Sequence, residues 1–198
     1  DGDPIDWGSV AWLPAVAIPD KFVVLDLTKG GEGEQAGEGE WSVGKYDEVR
    51  QGLYNTELFG GVRNVHIGLD IGGPVGTAVM AVADGRIHSA GYNPADGDYG
   101  HVIVVEYAVG STPFWMLYGH LSAKSIEGRA AGCAVAAGET IGWLGSRREN
   151  GGWFPHVHLQ LALERPETHD MPGVVAKEDR MDALRRYPDP RLVLGPLY

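Results

Sequence analysis

The chain has a single cysteine among its 198 residues, Cys133. A lone thiol excludes an internal disulfide and any cysteine-built zinc knuckle. Its surroundings, AAGCAVAAG, are small and apolar, which predicts a buried structural thiol. No apolar run approaches the roughly 20 residues needed to span a bilayer. No Lys/Arg-led apolar stretch opens the chain, so no secretory leader is visible. The first residue is Asp, which reads as a processed or excised piece of a longer protein. Positive charge is scarce: 16 Lys and Arg stand against 27 Asp and Glu, a net charge of −11. That argues against a nucleic-acid partner, because phosphate binding needs a basic surface. Long helical periods and internal repeats are missing as well.

What the chain has is glycine and proline, 30 and 12 residues. They punctuate short runs rich in β-branched and aromatic residues. The length suits one domain with a sizeable core. KFVVLDL (residues 21–27) reads as a strand. TKGGEGEQAGEGEWSVGK (28–45) reads as a flexible acidic loop, and YDEVRQGLYNTELF (46–59) as a short helix or turns. From Arg63 onward, NVHIGLDI, TAVMAVADGRIHSAGY, HVIVVEYAV, FWMLYGHL, ETIGWLG and PHVHLQLAL read as strands, with a hairpin-type turn at Ala83–Gly85. No helical periods intervene, so the expected fold is mainly β: an antiparallel sheet sandwich or open barrel with few short helices. One helix is expected, VAKEDRMDALRRY (175–187), with Met181 and Leu184 on one face and YPDP ending it. The expected organisation is a single domain, 1–198. It comprises an N-terminal extension carrying the acidic loop (1–62), a β core (63–163) and a tail with a short helix (164–198).

Seven histidines are present. In HIGLD, His66 and Asp70 are four residues apart, and strand alternation points His66, Gly68 and Asp70 to one side. In FPHVHLQLAL, His156 and His158 alternate likewise, with Cβ atoms roughly 6.5–7 Å apart at about 3.3 Å rise per residue. That spacing suits one metal ligand and one catalytic neighbour. A lone strand histidine is more often a hydrogen-bonded core residue, and HxH or HxxxD alone is a weak signal. Their joint occurrence, with His120 of YGHL as a third, favours a metal site. Two imidazoles and one carboxylate leave the fourth tetrahedral position open, the arrangement of a catalytic zinc site. Nitrogen-rich ligation favours zinc over harder ions. His88 and His169 read as surface or turn residues, and His101 as an ordinary residue at a strand start.

The stretches RNVHIGLDIGGPVGTAVMAVADGRIHSAG, DYGHVIVVEY, FWMLYGHLS, VAAGETIGWLG and NGGWFPHVHLQL occur in this order over residues 63–163. They resemble the lysostaphin-type, LytM-like zinc endopeptidases that cut peptide cross-bridges in bacterial cell walls. The resemblance implies a metallopeptidase core with His66, Asp70 and His158 as zinc ligands and His120 and His156 as the catalytic pair. No HExxH glutamate is present, so a histidine must orient or deprotonate the attacking water. Tyr118 has two readings, an oxyanion partner or a core residue. The ends, DMPGVV and YPDPRLVLG, resemble a variant of this domain found between a small-molecule kinase-like domain and a class III aminotransferase. A cytoplasmic location is expected for that variant, and the cell envelope for an ordinary wall-cutting member. The loop SRRENGGWFP departs from the family, with Arg147, Arg148 and Trp153 altering the groove rim. The expected function is zinc-dependent endopeptidase action next to small residues, Gly or D-Ala, in peptidoglycan-type cross-bridges. Expected partners are a peptide or peptidoglycan substrate and other domains of a longer chain. The alternative is an intracellular metal-binding accessory or small-amide hydrolase domain of a multidomain protein.

Overall fold

Alternating runs of β-branched and aromatic residues need a neighbour for each backbone edge and a core for one or both faces. In the computed structural model, which describes residues 5–30 and 36–198, most of these runs satisfy that need in one long sheet. The middle of the acidic loop, residues 31–35, lies outside the described residues. In chain order the strands are β1 (Val23–Val24), β2 (Ser42–Gly44), β3 (Glu48–Val49), β4 (Val65–His66), β5 (Leu69–Gly72), β6 (Ala78–Met80), β7 (Gly85–Asn93), β8 (Gly100–Val109), β9 (Thr112–Leu121), β10 (Ala134–Val135), β11 (Thr140–Trp143), β12 (His156–Ala162) and β13 (Val174–Val175). Eight of them form a sheet in the order β1-β2-β5-β12-β9-β8-β7-β10. β1 and β2 are parallel, and the other neighbours in this sheet are antiparallel. A two-stranded ribbon pairs β6 with β11, and a small antiparallel sheet orders β13-β4-β3.

Two expected strands are each divided between sheets. NVHIGLDI breaks at Ile67–Gly68: β4 joins the small sheet, and β5 joins the large one. The Ile67 amide continues the β4–β13 pairing, bonding the Gly173 carbonyl at 2.8 Å. TAVMAVADGRIHSAGY breaks at Ala83–Gly85, where the turn carries the chain from the ribbon into the large sheet. The turn signal there is real, but β6 and β7 are not hairpin partners.

The large sheet buries both faces. On one, Leu69, Ile71, Val105, Met116, Tyr118, Val157, Leu159 and Leu161 pack against Val79 and Ile141 of the ribbon and Ala15 and Val16 of the N-terminal segment. On the other, Val102, Val104, Trp115, Leu117 and Ala162 meet Val65, Ile67, Met171, Ala183 and Tyr187. Each large side chain taken from water contributes about 1.5–3 kcal/mol, so this two-sided burial is the main source of stability. Period-two alternation sorts the residues of β5, β9 and β12 between the faces.

The C-terminal helix is shorter than expected. Val174 and Val175 pair with His66 and Val65 in β13, so the sheet claims the β-branched start of the stretch. A 3-10 turn, Lys177–Asp179, then leads into α1 (Arg180–Arg186), and α2 (Arg191–Leu194) follows. Met181 is 70% exposed, which corrects the expected face. The buried residues are Ala183 and Tyr187, with Leu184 packed beside them. Cys133 also departs from expectation: its side chain is exposed. The small residues around it serve a turn at the sheet edge, with Gly132 left-handed, and not a packed interior. No helix of the described residues is long and apolar enough to cross a membrane.

Candidate active site

β12 lies between β5 and β9 with His158 opposite both Asp70 and Gly119. Alternation then places His156, His158 and Gln160 on the face opposite Val157, Leu159 and Leu161. β4 brings His66 in from the small sheet. Gly68, at the break between β4 and β5, supplies the space: a Cβ there would lie 2.2 Å from Cε1 of His158. The glycine between His66 and Asp70 is therefore filled by an imidazole.

His66, Asp70 and His158 are all buried. His66 Nε2 lies 3.0 Å from His158 Nδ1 and 3.2 Å from Asp70 Oδ1, and His158 Nδ1 lies 3.0 Å from the same oxygen. The hydrogens of both rings are spoken for on their far sides. His66 Nδ1–H donates to the Lys45 carbonyl at 2.9 Å. Gln160 directs its amide nitrogen at the Pro172 carbonyl, 3.4 Å away, so its oxygen accepts from His158 Nε2–H at 3.0 Å. Two imidazole lone pairs therefore face a carboxylate oxygen with no proton between them. A tetrahedral ion with bonds of about 2.0–2.1 Å to nitrogen and oxygen holds ligand atoms roughly 3.3–3.4 Å apart. The triangle of donors fits such an ion within a few tenths of an ångström, and these three residues form a group that can hold a metal.

The electrostatics agree with that reading. Burial, reinforced by the Arg50 guanidinium, pushes His66 down to about 4. Burial alone would raise Asp70, but His66 and Arg50 outweigh it and hold the carboxyl well below its ordinary value. The site thus presents a neutral His66 imidazole and an ionised Asp70 carboxylate at neutral pH, the protonation states that metal binding requires.

His120 and His156 lie beside this triangle, with ring centroids 4.3 Å apart. Burial lowers both, with the neighbouring imidazoles His156 and His158 adding to the shift at His120. Nδ1–H of His120 donates to the Asn150 carbonyl at 2.7 Å, and that of His156 to the Phe154 carbonyl at 2.7 Å. His120 reaches this face by an irregularity. Strict alternation would send it into the core beside Tyr118. The β8–β9 register shifts between His101 and Ile103, and His120 takes a left-handed backbone, φ 63°. A non-glycine residue there costs of order 1–3 kcal/mol and is found where a function needs it. Tyr118 stays in the core, its hydroxyl 2.8 Å from that of Tyr107. This settles its two readings for the core.

These five side chains open onto a cleft of about 800 Å³ walled by Tyr54, Phe59, Trp153 and Phe154. The stretch 64–170 of the chain matches the model of Peptidase family M23. The chain belongs to Peptidase family M23. Zinc is the cofactor of M23 domains, and the donor set described above suits it. The M23 chain is 35% identical over 135 residues to the DD-carboxypeptidase/endopeptidase Mpg of Neisseria meningitidis, which covers 61% of this chain and 28% of that protein. It is 34% identical over 109 residues to lysostaphin of Staphylococcus staphylolyticus, covering 55% and 20%. It thus spans less than a third of the length of these two curated relatives. Among solved structures, the lysostaphin catalytic domain from Staphylococcus simulans gives a TM-score of 0.48 at 25% identity, covering 72% of this chain and 92% of that one.

The remaining histidines stay away from the M23 site. His88 Nε2 meets the Pro166 carbonyl at 2.9 Å, His101 stacks on Tyr92, and the His169 ring covers Gly91. In the departing loop, Arg147 stacks on Phe154 at 4.2 Å and pairs with Glu38 at 3.2 Å. Trp153 lines the cleft, its Nε1–H donating to the Gly97 carbonyl at 3.1 Å, and Arg148 is exposed. Sequence reasoning missed Arg50, Tyr54, Tyr99, Asn150 and Gln160. Continuing the period of HVHLQ by one more step reaches Gln160. Arg50 carries no comparable signal, because its partner is 20 residues away across two strands.

Proposed function

We propose that this domain is a zinc-dependent endopeptidase that hydrolyses peptide bonds next to small residues, Gly or D-Ala, in peptidoglycan-type cross-bridges. In this reading His66, Asp70 and His158 hold the zinc, and His120 and His156 are the catalytic pair. The observation that carries it is the convergence of two lone-pair nitrogens and one carboxylate oxygen beside two further neutral imidazoles. Zinc, when bound there, supplies Lewis-acid polarisation of a scissile carbonyl and lowers the pKa of water towards about 7.

The chain's own groups do the rest. His120 and His156 each have Nδ1–H fixed to a carbonyl, which leaves Nε2 with a free lone pair. Burial keeps both neutral at pH 7, so each can take up a proton from attacking water. The imidazolium so formed can then donate to the developing oxyanion or to the departing amine. Glycines 44, 72, 97 and 173 line the cleft, which supports an extended substrate with little side chain at the cut. The Mpg relative is named a DD-carboxypeptidase/endopeptidase, and the solved lysostaphin domain an antimicrobial peptidase. The test is incubation with purified peptidoglycan and with a glycine-bridged peptide, with and without chelator. Cleavage that chelator abolishes and zinc restores is expected. No cleavage of either substrate by the zinc-loaded protein overturns the proposal.

A further inference from the structure

Asp70 offers one oxygen to the metal triangle. Its other oxygen, Oδ2, accepts from Arg50 Nη1 at 2.8 Å. Arg50 is only 3% exposed, and its position is fixed from three further sides. Nε donates to Glu48 Oε2 at 3.1 Å, Nη1 donates to the Tyr54 hydroxyl at 3.0 Å, and Nη2 approaches the Lys45 carbonyl at 3.4 Å. Glu48 is itself buried, and its second oxygen accepts from the Leu27 amide at 3.2 Å. A continuous chain of charged contacts therefore runs from the β1 end through Glu48 and Arg50 to Asp70.

The backbone makes room for it. Gly44 of β2 pairs in register with Asp70. A Cβ at Gly44 would lie 2.8 Å from Arg50 Nη2 and 3.0 Å from Asp70 Oδ2. A side chain at that position displaces the guanidinium or the carboxylate. Gly44, Glu48 and Arg50 all precede position 64, where the match to the family begins.

Resting on the zinc reading of the site, we infer that Arg50 is a positioning residue. Buried between Glu48 and Asp70, it holds Asp70 Oδ2 away from the metal so that the carboxylate binds through Oδ1 alone. A zinc held by these three donors would keep coordination capacity for water or substrate. A carboxylate freed from such a contact can rotate to bind through both oxygens or swing out of the triangle. Partners that orient a metal ligand typically change metal affinity by roughly 10- to 100-fold when removed. The fork of a guanidinium reaches Glu48 and Asp70 together, whereas a lysine ammonium is a point charge that reaches one of them well.

The experiment compares wild type, Arg50→Met, Arg50→Lys and Gly44→Ala, each checked for fold by circular dichroism. Zinc affinity is read by competition with a chromophoric chelator. Coordination is read from the visible absorption of the cobalt-substituted proteins, which is strong for four ligands and weak for five or six. Wild type is expected to bind one zinc and give the strong cobalt spectrum. Arg50→Met is expected to lose zinc affinity by roughly 10- to 100-fold and to alter the cobalt spectrum. Gly44→Ala should act in the same direction through a different atom, and Arg50→Lys should recover part of the loss. A folded Arg50→Met with wild-type affinity and spectrum overturns the inference; if that variant does not fold, Gly44→Ala and Arg50→Lys decide by the same readouts. A wild type that binds no zinc overturns the zinc reading instead, so the two failures are distinguishable.

Discussion

His66 and Asp70 are four residues apart, yet they belong to different sheets, and His66 Nε2 lies 3.2 Å from Asp70 Oδ1. The pair is brought together by a break in the strand, and the break depends on Gly68. Any Cβ at that position overlaps the His158 ring. Gly68→Ala is therefore expected to displace His158, to lower bound zinc, and to lower activity by about 100-fold or more, since an ångström of misplacement already costs that much in rate. Metal content by atomic emission, measured with the rate, tests this. Full zinc occupancy in Gly68→Ala would contradict it.

Ligand and catalytic roles predict different failures. His66→Ala and His158→Ala should lose the metal and with it all activity. His120→Ala and His156→Ala should keep one zinc per chain and lose about 10²–10⁴-fold in kcat, the usual contribution of a positioned acid or base. Zinc stoichiometry and kcat measured on the same four preparations separate the groups. A metal-free His156→Ala would move that residue into the ligand set.

Tyr118→Phe should leave the rate unchanged. The Tyr118 hydroxyl meets Tyr107 in the core on the far side of the sheet from the cleft. Losing that hydrogen bond costs about 0.5–1.5 kcal/mol of stability, readable as a lower urea midpoint. A large fall in kcat with stability intact would return Tyr118 to the reacting centre.

The metal-free protein should be acid-labile in a defined window. His66 is pushed down to about 4 by burial and by Arg50, whereas an unfolded histidine ionises near about 6.5. Between these values the unfolded chain binds more protons than the folded one, so stability rises with pH. His120 and His156 shift in the same direction. The His66 contribution is fully present above about pH 6.5 and is lost as pH falls towards 4, on the order of a few kcal/mol. Urea unfolding of the chelator-treated protein at pH 7.5, 6, 5 and 4 checks this. An unchanging midpoint would mean that the imidazoles are not held neutral.

The sequence made the site residues legible because alternation and glycine spacing are local. His156 and His158 follow from one period in one strand, and Gln160, one step further along it, was missed. The strands themselves were legible for the same reason, since β-branched runs between glycines have few other places to go. What escaped were the long-range decisions. Nothing within NVHIGLDI announces that its halves join different sheets, because the choice is made by Gly173 and β13 about a hundred residues later. Val175 looked helical beside Lys177 and Glu178 until a strand partner, Val65, was available to it. Tyr118 and His120 share a face by alternation, and the left-handed turn at His120 separates them. Arg50 was illegible for the plainest reason: a buried cation is recognised by its partners, and the one that ties it to the site, Asp70, sits on another strand.

Each site imidazole has one ring nitrogen anchored: three to backbone carbonyls and His158 to the Gln160 amide. Rotation about the outer bond of each histidine is thereby arrested before any guest arrives, and the reactive edges all look inward. Little reorganisation is left for the moment of encounter, so the entropy of orienting these rings has already been spent in folding.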